Sequence, residues 1–70
     1  MADTEPELKL GSSGEEVKEL QELLLGSELI KIDGNFGPET EFLVRAFQTS
    51  HGLIVDGIVG PETWKALRAS

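Results

Sequence analysis

Apolar residues recur at helical spacing in the first half of the chain, with charged residues at the positions between them. Intervals of three and four residues place apolar side chains on one face of an amphipathic helix. Ser13 and Glu16 have the spacing of a capping box at its start, and Gly26 is a residue type that commonly follows a helix end. The apolar face is formed by Val17, Leu20, Leu23 and Leu24.

Two more helices are predicted downstream. The second ends before Gly52, and the third runs to the end of the chain with Trp64 and Leu67 on its inner face. Short β-branched runs at 29–32 and 53–55 predict extended segments that could pair. Leu8 and Leu10 alternate with a polar residue and are expected to place two side chains on the core. The inner face of the second helix consists of Thr40, Leu43, Val44 and Phe47.

One phrase occurs twice, DGNFGPET at residues 33–40 and DGIVGPET at residues 56–63, with six of eight positions identical. In each copy, Asp and the first Gly favour a tight turn, and Pro favours the first position of a helix. The repeat predicts an all-α fold, a compact three-helix bundle with two similar turn-plus-helix repeats. The turn and helix-start positions are Asp33, Gly34, Gly37, Pro38, Asp56, Gly57, Gly60 and Pro61.

Seventy residues form one small domain. Residues 1–7 are acidic and polar and are predicted to be a disordered tail or linker, with the domain at residues 8–70. The N-terminus lacks the apolar region of a signal peptide. With a net charge of −7 and only six Lys and Arg, we expect neither nucleic acid nor a membrane as a partner.

The sequence contains no arrangement of residues typical of an enzyme or a cofactor site. Cysteine is absent and His51 is the only histidine, so neither a zinc site nor any other cofactor is expected. Asp33 and Asp56 could form a glycosidase-like carboxylate pair. However, repeated contexts give both carboxylates similar surroundings, whereas an acid and a base need different ones. Each Asp is therefore expected to organise its own turn, and the chain is predicted not to be an enzyme.

Two aromatic and two amide side chains allow alternative interpretations. Trp64 and Phe36 could stack on sugar rings or could belong to the core of so small a domain. Gln21 and Gln48 lie within apolar stretches. Because a buried amide must find hydrogen-bond partners, each is expected to tie down a neighbouring loop.

Three phrases in order resemble the peptidoglycan-binding domain family, a small three-helix module found beside catalytic domains of cell-wall hydrolases. The resemblance implies non-catalytic binding of bacterial peptidoglycan, both glycan strand and peptide stem, by a monomer with a covalently linked catalytic domain. It also implies a place in the cell envelope or outside the cell, within a larger exported or phage-type protein. The phrases are LGSSG at 10–14 with Val17, Leu20, Gln21 and Leu24; DGNFG at 33–37 with Thr40, Val44, Phe47 and Gln48; and GL at 52–53, DG at 56–57, VGP at 59–61, TW at 63–64 and Leu67.

Ligand contacts are predicted near the first repeat loop, where the two copies differ most. Amide and guanidinium donors suit a ligand rich in amides, hydroxyls and carboxylates. The alternative is a protein–protein interaction or pro-region module of the same fold that does not bind glycan, which an exposed apolar patch with Phe42 or Leu25 would favour. The candidate ligand contacts are Asp33, Asn35, Phe36, Arg45 and Gln48.

Overall fold

A computed structural model of the chain describes residues 6–24 and 32–69. It contains three helices, α1 (Glu15–Leu24), α2 (Pro38–Ser50) and α3 (Pro61–Ala69), and α1 packs against both others. The described residues form isolated β-bridges but no strand. None of the helices in these ranges is long and apolar enough to cross a membrane. The predicted all-α three-helix fold is confirmed.

Each helix begins directly after a glycine. The glycine carbonyl accepts the hydrogen bond that starts the helix, and the donors are the amides of Lys18 at 3.2 Å, Glu41 at 2.9 Å and Trp64 at 2.9 Å. Pro38 and Pro61 occupy the predicted first positions of α2 and α3. The three glycines, Gly14, Gly37 and Gly60, are evenly spaced along the chain.

The predicted capping box at the start of α1 is wrong. Because α1 begins at Glu15, Gly14 occupies the capping position that the sequence had suggested for Ser13. Within the described residues, neither the Ser13 hydroxyl nor the Glu16 carboxylate caps the helix. The predicted end of this helix at Gly26 lies outside the described residues.

The end of α2 lies where the sequence predicted it. Gly52 follows the helix with a φ of +69°, a conformation that glycine adopts without strain. The amide of Leu53 donates to the carbonyl of Gln48 at 2.8 Å, and the amide of Gly52 donates to that of Thr49 at 3.3 Å. These two bonds form a Schellman motif.

The core is assembled from all three helices, both repeat loops and the N-terminal segment. Phe36 and Trp64 are both 2% exposed, so the core alternative predicted for these aromatics is confirmed. Leu10 and Leu23, in contrast, are 52% and 38% exposed and not part of it. Leu10 lies in a turn that breaks the alternation begun at Leu8. The buried apolar residues are Leu8, Val17, Leu20, Phe36, Val44, Val59, Trp64 and Leu67.

Both repeat loops pair with the N-terminal segment, defined as residues 8–14. Leu8 and Val59 exchange two backbone hydrogen bonds of 3.1 and 2.8 Å, and Phe36 donates to the Ser12 carbonyl at 2.9 Å. The predicted pairing between the two extended runs is not observed for residues 32 and 53–55. Residues 29–31 lie outside the described ranges.

The segment before Leu8 also contacts the domain. The indole nitrogen of Trp64 donates to the carbonyl oxygen of Pro6 at 2.8 Å. The boundary between tail and domain, expected at Leu8, stays a prediction. Pro6 lies against α3, and residues 1–5 are outside the described part.

Candidate functional site

The first repeat loop is held by a buried glutamine from α1. We call Gln21, Asp33, Gly34, Asn35 and Thr40 the first cradle. The side-chain nitrogen of Gln21 lies 3.1 Å from the Asp33 carboxylate, 3.0 Å from the Asn35 carbonyl and 3.2 Å from the Thr40 hydroxyl. Its oxygen accepts the Gly34 amide at 3.0 Å. One side chain thereby joins α1, the turn and the start of α2.

The second loop repeats this arrangement, with a glutamine from α2. The second cradle consists of Gln48, Asp56, Gly57, Ile58 and Thr63. The Gln48 nitrogen lies 3.1 Å from Asp56, 2.9 Å from the Ile58 carbonyl and 3.2 Å from Thr63. The Gly57 amide donates to its oxygen at 3.0 Å. The two cradles therefore agree contact by contact.

These contacts confirm the expectation that Gln21 and Gln48 tie down neighbouring loops. Each side chain is 1% exposed, and its nitrogen and oxygen are both occupied within the cradle. A buried amide with all its atoms paired stabilises the fold and has none to offer a ligand. Gln48 therefore has a structural role. This role does not agree with the prediction that Gln48 contacts a ligand.

Both turn aspartates act within their own turns. Asp33 accepts the Asn35 amide at 2.9 Å, and Asp56 accepts the Ile58 amide at 2.9 Å. The Ile58 hydrogen bond is the main cause that holds the pKa of Asp56 below its usual range, and the Gln48 amide and the charge of Arg45 add to it. Burial opposes them and is the second largest influence. Asp56 is thus a carboxylate at neutral pH.

A long side chain from the preceding helix lies over each turn glycine. A Cβ on Gly34 would meet the Lys18 side chain at 3.3 Å, and a Cβ on Gly57 would meet the Arg45 side chain at 3.1 Å. Arg45 also lies 3.7 Å from the Glu41 carboxylate. Arg45, predicted to bind ligand at the first loop, therefore packs against the second.

The structure does not bring the five predicted ligand contacts together. Asp33 and Asn35 are exposed in the first turn, whereas Phe36 in the same loop points into the core. Arg45 and Gln48 belong with the second loop. The burial of Phe36 removes it as a stacking surface, because a ring that is 2% exposed cannot contact a sugar.

His51 has a local role. Its Nδ1 lies 3.1 Å from the Phe47 carbonyl, and the two rings stack with centroids 4.0 Å apart. This geometry ties the histidine to the end of α2. Within the described ranges, no group of three or more acidic or histidine side chains could hold a metal ion.

A surface groove of about 430 Å³ lies beside the second loop, and its lining contains none of the five predicted contacts. Its apolar part includes Ile54, which is 81% exposed, and Ile58. Ile58 stands where the first copy has Asn35, and this substitution is the one signal in the sequence that could have pointed to the groove. The lining residues are Glu7, Gly52, Leu53, Ile54, Asp56, Ile58, Gly60, Pro61, Glu62 and Thr63.

Comparison with protein families decides what this fold is. The family described as "Putative peptidoglycan binding domain" matches residues 13–67, which include α1, α2, most of α3 and both cradles. The chain belongs to the peptidoglycan-binding domain family. The resemblance inferred from the three sequence phrases is confirmed.

Known relatives of this peptidoglycan-binding domain are mostly longer chains. The zinc D-Ala-D-Ala carboxypeptidase of Streptomyces albus G is 44% identical over 50 residues, covering 66% of this chain and 20% of the enzyme. The Burkholderia AP3 phage endolysin superimposes with a TM-score of 0.86 at 43% identity, covering 91% of this chain and 25% of that one. In these relatives the domain is fused to further chain.

A solved structure of similar size shows that the fold can be studied as a separate unit. The crystal structure of the SleB N-terminal domain superimposes with a TM-score of 0.89 at 38% identity, covering 97% of this chain and 96% of that chain. A fused Zn-dependent amidase/peptidase/peptidoglycan-binding domain-containing protein from Clostridium acetobutylicum has a TM-score of 0.83 at 43% identity, covering 28% of its chain.

Proposed function

We propose that this domain binds peptidoglycan of the bacterial cell wall without catalysing a reaction and holds a linked catalytic domain close to its substrate. The observation that carries the proposal is the family match across residues 13–67. The position of similar domains within longer wall enzymes supports it, since this chain spans 20% of the carboxypeptidase and 25% of the endolysin.

The described side chains support a binding role over a catalytic one. His51 is engaged with the end of α2, and Asp33 and Asp56 are engaged in their turns. A nucleophile or general base needs a partner that activates or orients it, and these residues have structural partners instead. The domain would act as a monomer in the cell envelope or outside the cell, within a larger exported or phage-type protein.

The groove beside the second loop is the binding surface that the geometry favours. Its apolar side chains suit the methyl groups and C–H faces of N-acetylated sugars, and its carboxylates can accept hydrogen bonds from hydroxyls and amides. Asp33 and Asn35, exposed in the first turn, would form a second contact region.

The test is co-sedimentation of the domain with purified sacculi at low and physiological salt. We expect retention well above that of an unrelated acidic helical domain of similar size. Equal recovery of both proteins in the supernatant would overturn the proposal. A zymogram of the domain alone should show no clearing of embedded peptidoglycan, since clearing would overturn the non-catalytic assignment.

One observation favours the protein-interaction alternative. Phe42 on the outer face of α2 is 69% exposed, and an exposed aromatic ring is a common anchor at protein interfaces. Leu25, the other residue named for such a patch, lies outside the described ranges. If this alternative holds, the domain would not sediment with sacculi, and Phe42→Ser would abolish its binding to a partner domain.

A further inference from the structure

The groove beside the second loop is lined by apolar side chains and by carboxylates. The apolar lining residues include Leu53, Ile54, Ile58 and Pro61, and the three carboxylates are those of Glu7, Asp56 and Glu62. No lysine, arginine or histidine is among its lining residues. A ligand that matches both features has an aliphatic part and a positive charge.

Among the described residues, two of the three carboxylates have no neutralising partner. Glu7 and Glu62 form no ion pair within residues 6–24 and 32–69, whereas Asp56 lies close enough to Arg45 for that charge to lower its pKa. Unpaired carboxylates in a groove that contains no basic side chain attract a cation.

The position of Glu7 is set by a specific contact. The hydrogen bond from the Trp64 indole to the Pro6 carbonyl, 2.8 Å long, holds the chain against α3 one residue before Glu7. Glu62 is the second residue of α3. Both carboxylates therefore belong to segments that lie against α3 or within it.

We infer that this groove binds the amine-bearing side chain of a diamino acid in the peptide stem, its methylene groups against the apolar lining and its ammonium beside Glu7 and Glu62. This inference rests on the proposed function, because it names the part of peptidoglycan that the groove recognises. It also explains how a domain of charge −7 binds a wall that carries anionic groups: the recognised group is the cationic one.

The first experiment varies the ligand and uses soluble muropeptides whose stem carries a free side-chain amine. One portion is N-acetylated, which removes the charge, and another is N-dimethylated, which keeps it. Titration followed by amide chemical shifts should show acetylation weakening binding by about three- to tenfold, as expected for two exposed ion pairs, and dimethylation weakening it less. The shifted amides should lie at residues 52–63.

The second experiment varies the protein and uses Glu7→Gln with Glu62→Gln, compared with Glu39→Gln and Glu22→Gln. Glu39 is the counterpart of Glu62 in the first repeat, exposed at the second position of α2, and Glu22 is exposed on α1. Both double variants change the net charge equally. The groove variant should bind the free-amine muropeptide as weakly as the acetylated one, whereas the control should retain the preference. Circular dichroism checks that both remain folded.

The outcomes separate the inference from the function on which it rests. If acetylated and free-amine muropeptides bind alike, or if the groove variant keeps the preference, the inference is wrong while peptidoglycan binding stands. Shifts confined to residues 33–36 would also overturn it. If the domain binds neither muropeptides nor sacculi, the proposed function fails together with the inference.

Discussion

The two cradles have the same polar geometry around different apolar residues. In both, a glutamine that is 1% exposed accepts the turn glycine amide at 3.0 Å and contacts the helix-start threonine at 3.2 Å. The next residue in the sequence, after Asn35 or Ile58, is buried in the core in both copies. It is Phe36 in the first copy and Val59 in the second. The polar contacts define the loop shape, and the apolar position is free to vary with the core around it.

The surroundings of the cradles differ more than the cradles themselves. Gln21 and Asp33 are 12 residues apart, whereas Gln48 and Asp56 are 8 apart. The first loop pairs with the N-terminal segment at Gly11, Ser12 and Gly14, and the second pairs with it at Leu8. A repeated phrase therefore specifies a local shape, while its neighbours decide whether a groove forms beside it.

The largest effect is expected from the glutamines. Gln21→Ala and Gln48→Ala each remove a side chain that satisfies several buried groups, so each should lower the free energy of unfolding by about 3 kcal/mol. Urea denaturation measures this. Glu22→Ala, at an exposed site on α1, should change it by less than about 0.5 kcal/mol. A much smaller loss at one glutamine would show that the cradles are not equivalent.

Exchanging the apolar residues Phe36 and Val59 between the two loops should have the next largest effect on stability. Phe36→Val leaves a cavity, and Val59→Phe overfills a packed site. Each substitution introduces the residue of the other copy and should lower the free energy of unfolding by about 2 kcal/mol. Phe42→Val makes the same change at a side chain that is 69% exposed and should be nearly neutral. If either exchange were neutral by urea denaturation, the two loops would be interchangeable in the core.

Trp64, which contacts Pro6, follows the second copy of the repeat. The equivalent position after the first copy is Glu41, which has no indole to make such a contact. Deleting residues 1–7 should lower the free energy of unfolding by about 1 kcal/mol, the contribution of one hydrogen bond. In the Trp64→Phe variant, which has no indole donor, the same deletion should lower the free energy of unfolding by less. An equal cost in both backgrounds would assign the effect to another contact and would place the domain boundary differently.

The smallest expected effect is that of Asp56 on the free energy of unfolding at low pH. Because the folded state lowers the pKa of Asp56, its stabilising contribution is present above the ordinary value of about 4 and is lost as pH falls through the lowered value. Asp56→Asn should therefore flatten the decline of unfolding free energy as the pH falls below about 4. Glu39→Gln serves as the control, and an unchanged decline in Asp56→Asn would contradict the assignment.

Some predictions failed where the local pattern was ambiguous. Leu23 has the spacing of the apolar face of α1, yet Gln21 takes a buried position on that helix and Leu23 is 38% exposed. Ser13 and Glu16 match a capping box, yet the chain enters α1 one residue later. In both cases a tertiary contact, the first cradle or the bridge from Ser13 to Asn35, prevailed over local preference.

The sequence by itself determined the three helices, the starts of α2 and α3 in the repeated phrase, the loop-binding role of Gln21 and Gln48 and the family. These features depend on period, turn chemistry and the need of buried amides for partners, all of which act over a few residues or follow from composition. Only the tertiary structure decided that Phe36 is buried, that Arg45 lies over the second turn and that Glu7 and Glu62 line one groove. These positions depend on contacts between separate elements of the fold, which no local pattern encodes.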